Sequence, residues 1–247
     1  MTVRRLLYLV VAVVAALFVV WLVLFLTRGD TSSATGSDPY PDHAEGVAFV
    51  DEAVVYDDLG RMAATANVVV RGTVTEVAPG ATHQYTPEQS VADETDRVLT
   101  VRVDEVVANG ARGAPAVGTS IRIVEGWWSE GIGYETEGMP WSEVGQEGYF
   151  FLAKDSGPSG GYTYVGTTGR ALLTDEGAEV SGDHHGDGPW DGTVGGKLVD
   201  SRAQAGADAH RAPSVADLRS RVLAAADLAR RGVAKPMTLP NPAQPND

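Results

Sequence analysis

Cysteine is absent from the 247-residue chain, which removes a disulfide framework, a lipid-carrying cysteine, a thiol nucleophile and a thiolate metal site together. Stability must therefore come from a hydrophobic core. Lysine is nearly missing as well: Lys154, Lys197 and Lys235 stand beside sixteen arginines. With 33 acidic residues against 19 basic ones the net charge is −14. Such a balance repels phosphate and disfavours both nucleic-acid binding and docking on an anionic bilayer. Catalytic signatures are lacking too. There is no GxSxG, and GTVGGK at 192–197 ends like a phosphate loop without the full pattern or the strand-to-helix setting. His43, His83 and His210 are scattered and receive no role. No cofactor is implied, and no repeat of about 20–50 residues suggests a solenoid or propeller.

One long run lacks charge altogether. Residues 6–26 (LLYLVVAVVAALFVVWLVLFL) would form a helix of about 31 Å, matching a hydrocarbon core of roughly 30 Å. Tyr8 and Trp21 lie toward its two ends, where amphipathic rings favour the headgroup level. A cleavable signal peptide is the rival, with Arg4 and Arg5 as its basic start and a cut near Ala34. Signal cores run about 7–15 residues, however, so a retained single-pass anchor is the expectation. Arg4 and Arg5 precede the span, and only Arg28 follows it closely before Asp30, Asp38 and Asp42. That asymmetry puts the N-terminus in the cytoplasm and the rest outside. Past Arg28, 16 basic residues face all 33 acidic ones, a net charge of −17. The abundance of Ala, Gly, Val and Asp is typical of bacterial genes rich in G and C.

The expected organisation is a cytoplasmic N-terminus (1–5), the anchor (6–26), a polar disordered tether (27–45) and a folded domain (46–180). A polar Gly-rich loop (181–212), a C-terminal helix (213–233) and a disordered tail (234–247) follow. Within the domain, Val55, Leu59, Met62 and Ala66 fall at helical spacing. Period two then takes over: Val68, Val70 and Val74 share a face, and later Leu99, Val101 and Val103 point inward while Thr100, Arg102 and Asp104 point out. Residues 79–96 read as a polar insertion between these strands. Ile121 and Ile123 alternate with Arg122 in a third strand, and residues 126–148 read as a glycine- and tryptophan-rich loop. The continuous apolar run Tyr149 to Ala153 predicts a central strand, followed by two more β segments. Ser214 as N-cap, Asp217 three residues on, the spacing of Val215, Leu218, Val222 and Ala225, and Gly232 as C-cap mark an amphipathic final helix.

A helix leading into ANVVVRGTV, then VLTVRVDEVV, TSIRIVEG and VGQEGYFFL, resembles bacterial extracytoplasmic, membrane-anchored domains of uncharacterised function. These carry a small barrel similar to OB folds and to the netrin and tissue-inhibitor-of-metalloproteinase module. The resemblance spans roughly residues 56–180. It implies a mainly β domain with flanking helices, a five- to six-stranded OB-like barrel, preceded by the transmembrane helix and followed by the amphipathic one. The eukaryotic inhibitors of this type depend on an N-terminal cysteine and disulfides. Their chemistry does not transfer, and no functional residue carries over.

Two clusters compete for a functional role. Trp127, Trp128, Tyr134 and Trp141 share one segment with Glu125, Glu130, Glu135, Glu137 and Glu143. Aromatic rings beside carboxylates suit a carbohydrate or peptide ligand, and the alternative is that the rings complete the core. Asp183, His184, His185, Asp187 and Asp191 would suit a divalent metal by donor type but match no ligand spacing, so a solvated loop competes there. The expectation is an anchored, non-enzymatic module that binds an extracytoplasmic protein or glycan. Two alternatives belong to other classes: a hydrolase of envelope polysaccharide using Glu125 and Glu143, and a metal-binding sensor or chaperone.

Overall fold

The computed structural model describes residues 39–48, 56, 58–86, 92–109, 114–175, 177–180, 190, 193–194, 197–198 and 214–237. The anchor at 6–26, the first part of the tether, the five Asp and His residues at 183–191 and the tail past residue 237 lie outside these. Among the described residues no helix is long and apolar enough to cross a membrane.

The described chain is mainly β with two helices. In order come β1 (Gly46–Ala48), α1 (Leu59–Thr65), β2 (Val68–His83), β3 (Glu94–Asn109), β4 (Ser120–Ser129) and β5 (Ile132–Thr136). Then follow β6 (Glu147–Lys154), β7 (Tyr162–Tyr164), β8 (Arg170–Thr174), β9 (Gly177–Val180), β10 (Thr193–Val194), β11 (Lys197–Leu198) and α2 (Val215–Arg230). The main sheet runs β1-β5-β4-β3-β2-β6-β8-β9, and β7 pairs with both β4 and β6. Strands β2, β3, β4, β7 and β6 thereby form a ring. Its last join is a single parallel pair, Ile123 with Tyr162, so the sheet is ring-like and the expected five- to six-stranded small barrel is not closed. Pairing on this side stops at one pair because Gly160 and Gly161 before β7 and Gly166 after it take left-handed backbone and turn the chain out of the ladder.

Two segments read as irregular are strands. Residues 79–83 and 94–96 are the arms of a long hairpin, since β2 runs on to His83 and β3 starts at Glu94. The tryptophan-rich stretch continues β4 to Ser129, turns at Glu130 and Gly131, and returns as β5. Part of the assigned tether is also docked: Glu45 N donates to the Gly133 carbonyl at 2.9 Å, and β1 pairs in parallel with β5.

The inward residues fall where alternation puts them. Leu99, Val101, Val103 and Ile123 are fully buried inside the ring with Val68, Val70 and Val74, whereas Arg102 and Arg122 are exposed. A second core lies between the sheet and the helices, joining Val69, Tyr149 and Phe151 to Leu59, Met62, Leu218, Val222 and Ala225. Strand β6 therefore serves both cores, with Phe150 and Leu152 on one side and Tyr149 and Phe151 on the other. That is why its sequence is a continuous apolar run. Each such side chain contributes about 1.5–3 kcal/mol on burial.

Both helices are capped by their sequence. Asp58 accepts from Gly60 N at 2.5 Å and Arg61 N at 3.1 Å, and Ser214 accepts from Asp217 N at 3.2 Å. Gly232 takes a left-handed φ of +68° just past α2. Val215, placed on the apolar stripe by spacing, is instead 40 % exposed in the first turn. Trp190, within the segment read as a polar loop, is 4 % exposed and packs edge-on against Phe151 at 5.6 Å. Its indole N–H donates to the Thr168 carbonyl at 2.9 Å.

Candidate functional site

The tryptophan hairpin owes its geometry to one bulge. Along β4, Ile121, Ile123 and Glu125 point inward, and strict alternation would send Trp127 in with them. The register against β3 shifts between Asp96 and Val98, so that Asp96 faces Trp127 while Val98 faces Val124. Gly126 absorbs the extra residue with a left-handed φ of +68°. The parity flips, so Trp128 turns inward and is 4 % exposed, while Trp127 stands on the outer face and is partly exposed.

The four predicted aromatic residues are thus split. Trp127 and Tyr134 are direct cross-strand partners on the outer face, their rings 5.8 Å apart and 11° from parallel. Trp128 joins the inner side, where it meets Tyr40 at 5.2 Å and Trp141 at 5.5 Å, both edge-on. Its indole N–H donates to the Pro41 carbonyl at 2.9 Å. Trp141 lies with Arg97 4.3 Å above its ring and donates to the Tyr134 carbonyl at 3.1 Å.

Beneath Trp141 lies a buried ionic cluster assembled from four strands and the 140–144 segment. Glu125, 1 % exposed, accepts from Arg97 Nη1 at 2.6 Å, Arg170 Nη1 at 2.5 Å and Tyr164 Oη at 2.8 Å. Ser142 adds its backbone N–H at 2.7 Å and its hydroxyl at 2.8 Å. The arginines spend further donors on carbonyls: Arg97 on Ser142 and Arg170 on Pro140, each at 2.6 Å. Burial pulls Arg97 below its ordinary value; for Arg170 the same burial is outweighed by Glu125 and Tyr164, and its value rises. Sequence reasoning missed Arg97, Ser142, Tyr164 and Arg170. A signal existed: Arg97 is in phase with the inward Leu99, Val101 and Val103, as Glu125 is with Ile121 and Ile123. A charge on an apolar phase needs a buried partner.

With five donors on two oxygens, Glu125 has no free lone pair for proton transfer, which removes the basis for choosing it as a hydrolase acid or base. Glu143 is exposed, its N–H held by Gln146 Oε1 at 2.8 Å. A second polar group joins the β2–β3 hairpin to the loop before β7. Asp96 accepts from Ser159 Oγ at 2.6 Å and pairs with His83 Nε2 at 2.9 Å. Both bonds end on Asp96, so this is a clasp and not a nucleophilic triad, in which the imidazole would hold the hydroxyl. Asp183, His184, His185, Asp187 and Asp191 lie outside the described residues, among which no group of three or more metal-ligating side chains assembles.

Tyr164 gives the cluster a pH dependence. Burial, reinforced by the adjacent Glu125 charge, holds its phenol well above the ordinary value of 10.0. A group with a raised folded value contributes stability that is complete below its unfolded value and is lost as pH rises toward the folded one. The melting temperature should therefore hold steady as pH approaches 10 and fall above it. In Tyr164→Phe, measured by thermal melts from pH 8 to 12, the starting stability should be lower and the alkaline fall shallower; an equal fall would show that another group carries it.

No protein-family model matches the chain, and no curated protein matches it.

Proposed function

We propose that the chain is a non-catalytic binding module, displayed outside the cytoplasmic membrane by its 6–26 helix, which contacts an envelope glycan or protein through Trp127 and Tyr134. The observation carrying this reading is the stacked ring pair held partly exposed on paired strands, a rigid apolar surface set in an acidic domain. The strand path favours the OB-like assignment: β2 lies between β3 and β6, and β4 meets β7 in parallel. In OB folds, ligands lie across the second and third strands and the adjoining loops. Here those strands are β3 and β4, whose outer face bears Trp127, and the adjoining loops are the ones clasped through Asp96 and Ser159. The net charge of −14 argues against nucleic acid and leaves neutral glycans or proteins.

The test uses the full chain in detergent with purified peptidoglycan and soluble envelope polysaccharides, read by co-sedimentation and tryptophan fluorescence. Trp127→Ala should weaken binding at least tenfold, about 1.4 kcal/mol, while leaving the melting temperature nearly unchanged. Unaltered binding by Trp127→Ala, or no binding by the wild type, would count against a glycan-binding surface here.

A further inference from the structure

At one level of the sheet, four strands contribute to a single row on the outer face. Gly46 of β1 pairs with Tyr134 of β5, Tyr134 with Trp127 of β4, and Trp127 with Asp96 of β3. Residues opposite one another on neighbouring strands put their side chains on the same face. The row therefore runs across the strands, from a bare glycine through two rings to a carboxylate.

Each member of the row is held in place. A Cβ on Gly46 would lie 2.5 Å from Tyr134 Cδ1 and Cε1, so the phenol ring leans across β1 into space that a glycine leaves open. A ring covering a glycine across an edge pair pins the register of that pair. At the far end Asp96 is gripped twice, by Ser159 Oγ on Oδ2 at 2.6 Å and by His83 Nε2 on Oδ1 at 2.9 Å. Ser159 Oγ in turn accepts from Ala81 N at 2.7 Å, which ties the carboxylate to β2 as well. The Asp96 side chain still keeps 14 % of its surface in solvent. A carboxylate has about four lone-pair sites, so one bond on each oxygen leaves each with room for another. A hydroxyl donating to an ionised carboxylate makes a short, strong bond.

A pyranose sugar matches this row: it has a C–H face that lies on an aromatic ring and a rim of hydroxyl donors that meets a carboxylate. The Tyr134 and Trp127 centroids are 5.8 Å apart, close to the length of one sugar unit in an extended chain. The net charge of −14 repels an anionic polymer. Building on the binding role assigned above to Trp127 and Tyr134, we propose that the row is a subsite for an uncharged polysaccharide lying across β5, β4 and β3. Successive sugar rings rest on Tyr134 and Trp127. Asp96 accepts from two neighbouring hydroxyls of the unit over Trp127, and His83 and Ser159 keep its carboxylate oriented for them.

The test titrates the full chain in detergent, by calorimetry, with cellotetraose, N-acetylchitotetraose and the cationic, fully de-N-acetylated chitotetraose. One of the two neutral sugars should bind at least as tightly as the cationic one. Asp96→Asn should weaken that binding about tenfold, through loss of charge-assisted hydrogen bonds. The same change also loosens the clasp, and Ser159→Ala separates the two effects because it loosens the clasp while keeping the carboxylate. It should weaken binding by no more than about threefold. Neither neutral sugar binding, the cationic sugar binding more tightly, or equal losses for Asp96→Asn and Ser159→Ala would overturn the subsite alone, because Trp127→Ala on peptidoglycan tests the surface separately. Neutral-sugar binding that Trp127→Ala leaves intact would overturn both.

Discussion

Glu125→Ala is expected to destabilise the protein by about 3–5 kcal/mol, because it strands two buried guanidinium groups that now share one carboxylate. Against a typical total of about 5–15 kcal/mol, that is enough to leave a substantial unfolded fraction at moderate temperature. The loss combines like-charge repulsion with the removal of five hydrogen bonds to Glu125. Removing the charges together should behave differently. The triple change Arg97→Met, Glu125→Leu, Arg170→Met keeps the volume and takes away the desolvation cost, so it should fall within about 2 kcal/mol of wild type and outdo the single variant. Urea denaturation of the three proteins measures both. A Glu125→Ala midpoint close to wild type would show the cluster to be energetically idle.

Gly126→Ala should cost about 2–5 kcal/mol, adding two independent penalties. A left-handed φ of +68° disfavours a side chain by about 1–2 kcal/mol. The new Cβ would also meet Trp141 Nε1 and lie 2.6 Å from the Tyr134 carbonyl, an overpacking worth typically 1–3 kcal/mol. Gly118→Ala separates the two. Its φ is +83°, but nothing lies within 4 Å, so only the backbone penalty of about 1–2 kcal/mol should appear. Because the bulge at Gly126 decides which tryptophan faces in, Gly126→Ala should further alter the near-ultraviolet circular dichroism, whereas Gly118→Ala should not. Equal costs for the two substitutions would show that the close approach to Trp141 carries no energy.

Much of the fold is readable residue by residue. Alternation in β3 and in the first half of β4, the continuous run of β6 and the Ser214–Asp217 cap of α2 each follow from local chemistry and hold in three dimensions. What escapes local reading depends on distant partners. The extension of β2 through Pro79 and Gly80 is set by pairing with β3, although both residues are poor strand formers. The outward turn of Trp127 needs the bulge, which no period reveals. Arg97 and Glu125 stand on an inward phase, but which residues pair them is not legible locally, because Glu125 meets Arg97 and Arg170 across 28 and 45 positions. The ring fails to close for a similar reason: the shortness of β7 reflects turns on both sides of it, not the composition of Tyr162–Tyr164.

The two-sided burial of β6 has a consequence for misregistration. In a strand with one wet face, a slip of one residue drives apolar groups into water and corrects itself. Tyr149–Phe150–Phe151–Leu152 would carry apolar groups to both layers in either setting, so polarity alone barely penalises the error. Other residues must fix the alignment. Gly148 stands opposite Gly72 in β2, and a Cβ at Gly148 would come 2.7 Å from the Ala171 carbonyl, so the close approach of β8 needs a glycine here. At the other end Asn67 Oδ1 accepts from Lys154 N at 2.7 Å. The central strand is thus indexed by a glycine and an asparagine at its ends, and substitutions there should populate a shifted, fully apolar alternative that substitutions in its aromatic middle would not.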